Sequence, residues 1–245
     1  MDRLATYEES FRLRISDYDC NDKITPVTIL DLAQDVAGKH ADILNIGYEE
    51  FIKNNNIWVL IRTRLEMFSY PLLYSTLKVK TWPRVKGRVD FDRDTLITDE
   101  NDNIVCKLQS KWVVINYVNR NIVLPRNINY PIVDFCEDKN FDTPFNKIDD
   151  FDISNLNPIH ICTRFNDLDH NGHVNNIKYV QYIMNELKLE KNIFVKTLEI
   201  DYIHELKAYE EFDLYIKKTD DLILTKGVSN GKDVFLCEIQ CEKRD

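Results

Sequence analysis

Three side chains in the second half of the chain have the types and spacing to handle a carbonyl group and a water molecule. Residues 167–174 read Asp167-Leu168-Asp169-His170-Asn171-Gly172-His173-Val174. Within them Asp169, Asn171 and His173 alternate with other residues, which gathers a carboxylate, an amide and an imidazole into one short turn. An amide and an imidazole can donate hydrogen bonds to a developing oxyanion or hold a water molecule. A carboxylate beside them can orient an imidazole. The same residue types also favour turns and helix N-caps, so the triplet alone fits a structural role equally well.

A second copy of this stretch lies 150 positions earlier (167 − 17), reading Asp17-Tyr18-Asp19-Cys20-Asn21-Asp22-Lys23-Ile24. Asp, Asp and Asn recur in register, but Lys23 stands where the later copy has His173. A duplicated framework with its polar set completed once predicts one working site, in the C-terminal half, and one scaffold half.

The elements around both stretches follow one plan. Residues 11–15 alternate as a strand, and Thr25-Pro26 opens a helical pattern carried by Val27, Leu30, Ala37, Ala41 and Leu44. Strand patterns then cover residues 57–68, 72–82, 88–98 and 104–117. In the second half a strand at 159–163 precedes a helical face of Val174, Ile177, Val180, Ile183 and Leu187. Strands follow near 194–204, 211–218, 222–229 and 234–242. Leu65-Glu66-Met67 resembles Leu198-Glu199-Ile200, an offset of 133. This reading gives an α+β chain: a hotdog unit at 1–123, a linker at 124–156 and a hotdog unit at 157–245 that holds the complete polar set. Each unit is a long helix packed on an antiparallel sheet, so the fold is a tandem (double) hotdog.

Composition excludes several classes. The 245 residues carry 44% hydrophobic residues, enough for a packed core, and a net charge of −9, which disfavours nucleic acid as a partner. Six cysteines without Cys-x-x-Cys pairs read as reduced thiols. No secretion signal or membrane-spanning run is evident, so a cytoplasmic protein without membrane insertion is expected. No cofactor and no metal are expected.

The residues now support a resemblance. Residues 32–41 (LAQDVAGKHA), Trp58-Val59-Leu60 with Arg62, Thr81-Trp82-Pro83 followed by Arg88, and residues 164–179 (RFNDLDHNGHVNNIKY) resemble the acyl-[acyl-carrier-protein] thioesterases of plants and bacteria. The resemblance implies release of free fatty acid from an acyl carrier protein, which would be the partner, with the acyl-chain pocket in the unit at 1–123 and the catalytic residues in the unit at 157–245. It places site residues at Asp169, Asn171 and His173. Tyr202-Ile203-His204-Glu205-Leu206 matches the family's Tyr, two basic residues, Glu, Cys, which adds Glu205. The family's cysteine is Leu206 here, so no thiol nucleophile acts at that position. Glu205 is then expected to activate water, or to attack directly and form an anhydride. Backbone N–H groups at residues 174–176 are expected to form an oxyanion hole. Arg62, Arg64, Lys78, Lys80, Arg84, Lys86 and Arg88 are candidates for docking an acidic carrier. Alternatives are an acyl-coenzyme A thioesterase and a non-catalytic acyl-binding regulator. A hotdog hydratase fits less well, since its His would stand five residues after the Asp, not four. Chain-length preference and a possible homodimer stay open.

Overall fold

The computed structural model describes residues 5–130, 136–219 and 222–244, and the chain divides into two compact units, residues 1–144 and 145–245. The first contains β1 (Tyr7–Arg12), α1 (Pro26–Ile43), α2 (Tyr48–Lys53), β2 (Asn56–Met67), β3 (Thr76–Pro83), β4 (Phe91–Thr98), β5 (Ile104–Asn116) and the short β6 (Ile122–Val123). The second contains β7 (Ile159–Cys162), α3 (Asn176–Leu187), β8 (Ile193–Tyr202), β9 (Glu211–Lys218), β10 (Leu222–Ser229) and β11 (Lys232–Lys243).

In the first unit the strands run β1-β3-β4-β5-β2, all neighbours antiparallel. In the second they run β7-β9-β10-β11-β8, again antiparallel. Apart from β6, which pairs with β5, the two sheets have one strand topology. Each is a helix laid on an antiparallel sheet, which is the tandem hotdog architecture.

Helix α1 starts where its sequence says it should. The Thr25 side chain accepts the Thr28 N–H (3.1 Å) and Pro26 occupies the first turn. Its buried stripe, Ile29, Leu30, Ala33, Val36 and His40, recurs at spacings of one, three and four residues. The chain leaves the helix through Asn45, which adopts positive φ (56°). Helix α3 is capped by Asn175, whose side chain accepts the Ile177 N–H (3.0 Å), and it ends at Lys188 in the left-handed conformation. Its aromatic residues pack on the sheet, with Tyr179 against Phe235 and Tyr182 against Phe212, both at 5.5 Å between ring centroids. Gly227 on β10 makes room for this layer. A Cβ there would meet the Phe235 ring at 2.4 Å.

Two details depart from the sequence reading. β1 lies at residues 7–12, a few residues before the expected 11–15, because Leu13 bonds past the end of β3 (N–H to Ser75 O, 2.9 Å) and the chain then turns. The equivalence of β2 and β8 is 135 residues (203 − 68), not 133. Phe68 and Ser69 N–H both point to Val105 O, as Ile203 and His204 N–H both point to Val234 O. A two-residue slip keeps every side chain on its own face, so apolar patterning could not separate the two registers.

The expected linker segment is fastened to the units it joins. On the first sheet Trp82, Asp94, Gln109 and Arg64 stand opposite one another across four strands, on the face away from α1. Residues 138–144 cover that row. Trp82 donates to Asp138 O (2.9 Å), Asn140 donates to Thr95 O (2.8 Å), and the Arg64 guanidinium donates to Pro144 O (3.0 Å) while lying over the Phe141 ring. In the second unit Lys226, nearly buried, holds Asp150 (2.9 Å). Polar backbone without regular structure is satisfied by these contacts.

Candidate functional site

The turn at residues 167–175 is built by its own aspartates. Asp169 Oδ1 accepts the N–H groups of Asn171 (2.8 Å) and His173 (3.3 Å), and Asp169 N–H donates to His173 O (2.8 Å). These bonds bend the chain so that Leu168 and Val174 pair as an isolated bridge. Gly172 sits at φ 78°, where a side chain would be strained. Asp167 accepts the Arg164 N–H (2.6 Å) and the Tyr182 hydroxyl (2.5 Å), which ties the turn to α3.

The loop after β8 meets this turn. Val174 N–H donates to Leu206 O (2.7 Å), and Leu206 N–H donates to the Tyr179 hydroxyl (3.1 Å). Glu205 is thereby brought to His173, with Oε2 3.8 Å from Nε2. That separation is too long for a direct hydrogen bond. The side chains are 22% and 32% exposed for His173 and Glu205, half-buried but reachable. Asn171 Nδ2 lies 3.4 Å from Asp169 Oδ2. The four residues singled out in the sequence, Asp169, Asn171, His173 and Glu205, therefore belong to one neighbourhood of the second unit. The Asp169 carboxylate spends Oδ1 on the backbone of the turn.

The expected oxyanion hole at residues 174–176 is corrected by the structure. Val174 N–H is committed to Leu206 O and Asn175 N–H to Asp167 O (2.8 Å). These donors hold the loop and the turn together, so a pair of backbone N–H groups is not on offer there. Asn171 and His173 remain as side-chain donors. The basic docking set also shrinks. Arg64 is buried and bound to Gln109 (2.9 Å), Arg84 is paired with buried Asp94, and Lys78 with Asp102 (2.7 Å). Arg88 is exposed.

Sequence reading assigned no role to Tyr179 or to the Leu206 backbone. Tyr179 sits at a helical core position, where an aromatic residue reads as packing. Burial, and then the carboxylates of Glu205, Glu210 and Asp169, push its hydroxyl well above the ordinary tyrosine range, so it keeps its proton. Among the described residues no group of three or more His, Cys, Asp or Glu side chains is arranged to hold a metal ion.

Comparison with known proteins decides the family. Residues 5–127 match the model of the acyl-ACP thioesterase N-terminal domain, and residues 151–242 that of the acyl-ACP thioesterase C-terminal domain. The chain belongs to the acyl-ACP thioesterase family. A chloroplastic oleoyl-acyl carrier protein thioesterase of Coriandrum sativum is 27% identical over 231 residues, covering 85% of this chain and 61% of the relative. The chain thus spans about three fifths of that relative's length. Two solved structures share the fold. An acyl-ACP thioesterase from Bacteroides thetaiotaomicron superposes with a TM-score of 0.86 at 23% identity, covering 99% of this chain and 100% of that one. A 12:0-ACP thioesterase from Umbellularia californica gives 0.87 at 19% identity, with 98% of each chain covered. Among the described residues no helix is long and apolar enough to cross a membrane.

Proposed function

We propose that the chain hydrolyses the thioester of fatty acyl-[acyl-carrier-protein], releasing free fatty acid. The observation that carries this reading is the approach of His173 to Glu205 in the unit whose turn holds the complete polar set, within a chain matched by the acyl-ACP thioesterase domain models on both sides. Glu205 is the general base. It takes a proton from water as the water oxygen bonds to the thioester carbonyl carbon. Asn171 and His173 donate to the carbonyl oxygen as it gains charge. The tetrahedral intermediate then collapses, the C–S bond breaks, and the departing thiolate takes the proton held by Glu205, which leaves a thiol and restores the carboxylate. Asp169 fixes the turn and orients Asn171. General-base assistance of this kind contributes on the order of 10²–10⁴ in rate. The alternative route for the same residue is direct attack by Glu205 on the carbonyl carbon to give an anhydride, which water then hydrolyses.

The acyl chain is assigned to the first unit, between α1 and its sheet, where each buried methylene contributes about 0.8 kcal/mol. The donor is a carrier protein rather than coenzyme A, and the setting is cytoplasmic. The test is thiol release from acyl-carrier-protein thioesters of about four to eighteen carbons, with the matching acyl-coenzyme A esters as competitors. Hydrolysis of a narrow range of lengths, lost in His173→Ala by about a hundredfold or more, is the expected result. Saturable acyl binding without turnover by the wild type would replace the thioesterase by an acyl-binding protein. Preferential hydrolysis of the coenzyme A esters would overturn the choice of donor.

A further inference from the structure

The two copies of the turn differ in a pair of residues that the proposed chemistry does not itself use. Counting 150 residues back from Tyr179 gives Ile29, at the same place in α1 after the Thr25 cap. Both are buried, at 0% exposure for Ile29 and 3% for Tyr179. Counting 135 residues back from Leu206, by the equivalence that the Val105 and Val234 carbonyls establish, gives Pro71. Proline has no backbone N–H. The loops between these anchors have equal length, since Tyr74 and Tyr209 both adopt positive φ (65° and 64°), and Leu13 and Thr163 N–H bond to Ser75 and Glu210 carbonyls respectively. The N–H of Leu206 and the hydroxyl that accepts it are therefore present together in one copy and absent together in the other. Glu205 and His173 follow the same division, with Tyr70 and Lys23 in their places. A buried hydroxyl is not something this helix position needs in order to pack, because isoleucine fills it in the first unit.

We infer that Tyr179 is a positioning residue for Glu205, its hydroxyl clamping the Leu206 amide so that the carboxylate is held against His173. This rests on the reading of Glu205 as general base. Leu206 is gripped from both sides, its carbonyl by Val174 N–H (2.7 Å) and its N–H by Tyr179 (3.1 Å). The first contact ties the loop to the turn that carries His173. The second ties it to the helix. Together they leave the residue before Leu206 little freedom to move away from the imidazole. A misplacement of about 1 Å at a reacting group can cost up to about a hundredfold in rate.

Tyr179→Phe removes the hydroxyl and keeps the ring on Phe235. Steady-state thiol release, on the acyl-carrier-protein thioester that the wild type turns over best, should show kcat falling by about ten- to a hundredfold with KM within about twofold. The Glu205→Gln/Tyr179→Phe double variant should be no slower than Glu205→Gln alone, since a positioner has nothing left to position. Amide exchange in residues 203–209 should quicken in Tyr179→Phe. Tyr179→Ile, copying the first unit, should fold and lose kcat in the same way. Full kcat in Tyr179→Phe with Glu205→Gln inactive overturns the clamp and leaves the base intact. Multiplicative losses in the double variant overturn it as well. Activity retained in Glu205→Gln overturns the reading of Glu205 and the clamp with it.

Discussion

The turn at residues 17–25 and the turn at residues 167–175 have nearly the same backbone and different prospects. In each, one carboxylate oxygen gathers two N–H groups from two and four residues ahead: Asp19 from Asn21 (2.8 Å) and Lys23 (3.0 Å), Asp169 from Asn171 (2.8 Å) and His173 (3.3 Å). In each, an aspartate two residues earlier accepts the N–H of an arginine three before it (2.6 Å in both). Each leads through a side-chain cap into the unit's long helix. The difference lies in what hangs on the frame. Lys23 and Tyr70 occupy the places of His173 and Glu205. The comparison separates what a motif residue does for the fold from what it can do for chemistry. Asp169 builds the turn, as Asp19 does, and its second oxygen is the part that reaches Asn171.

The comparison can be broken most sharply at the position that differs. His173→Ala should lower kcat by about a hundredfold or more, whereas Lys23→Ala should change it by less than about twofold. Equal losses on thiol release would mean that the first turn is also a working site. Next comes a difference confined to the first unit. Burial pushes Asp94 up to about 6 against the opposing pull of Arg84. Its folded pKa then exceeds an unfolded value near 4, so between these values the folded state binds more protons. Stability should therefore fall as pH rises from about 4 through about 6, by as much as about 3 kcal/mol. Asp94→Asn should flatten that slope in urea denaturation followed across the same pH range.

Asp19→Ala and Asp169→Ala should destabilise by similar amounts, about 1–3 kcal/mol, because each removes hydrogen bonds to two backbone N–H groups. Only the second should also slow turnover. A much larger loss of stability at one of them, read from urea midpoints, would mean that the two frames are not equivalent. Smallest are the caps. Thr25→Ala and Asn175→Ala should each cost about 1 kcal/mol of stability. Thermal melting with the rate assay should show the Asn175 variant, whose helix start adjoins the site, as the more slowed of the two.

Much of this was legible in the chain. Regular alternation marked the strands at 211–218 and 222–229 at their observed bounds, and Thr25-Pro26 marked the start of α1. The duplicated Asp-x-Asp-x-Asn exposed the turn because hydrogen bonds between an aspartate and the next few N–H groups are local, and local geometry is written in local sequence. The residues Asp169, Asn171 and His173 could be placed together for the same reason.

Other features depended on contacts between distant residues. The offset of 135 between the two loops was set by which carbonyl Phe68 and Ile203 bond to, information that periodicity does not carry. The burial of Arg64 and the tethering of Arg84 by residues 138–144 followed from side chains on one sheet face finding partners some 60 to 80 positions along the chain. The commitment of Val174 N–H to Leu206 O, which withdrew the expected oxyanion donors, was of the same kind. The sequence by itself determined the residue types, the turn, the helices and the repeated order of elements. Only the tertiary structure decided which polar groups are spent on holding the fold and which remain for chemistry, because a hydrogen-bond donor's availability depends on what long-range packing sets against it.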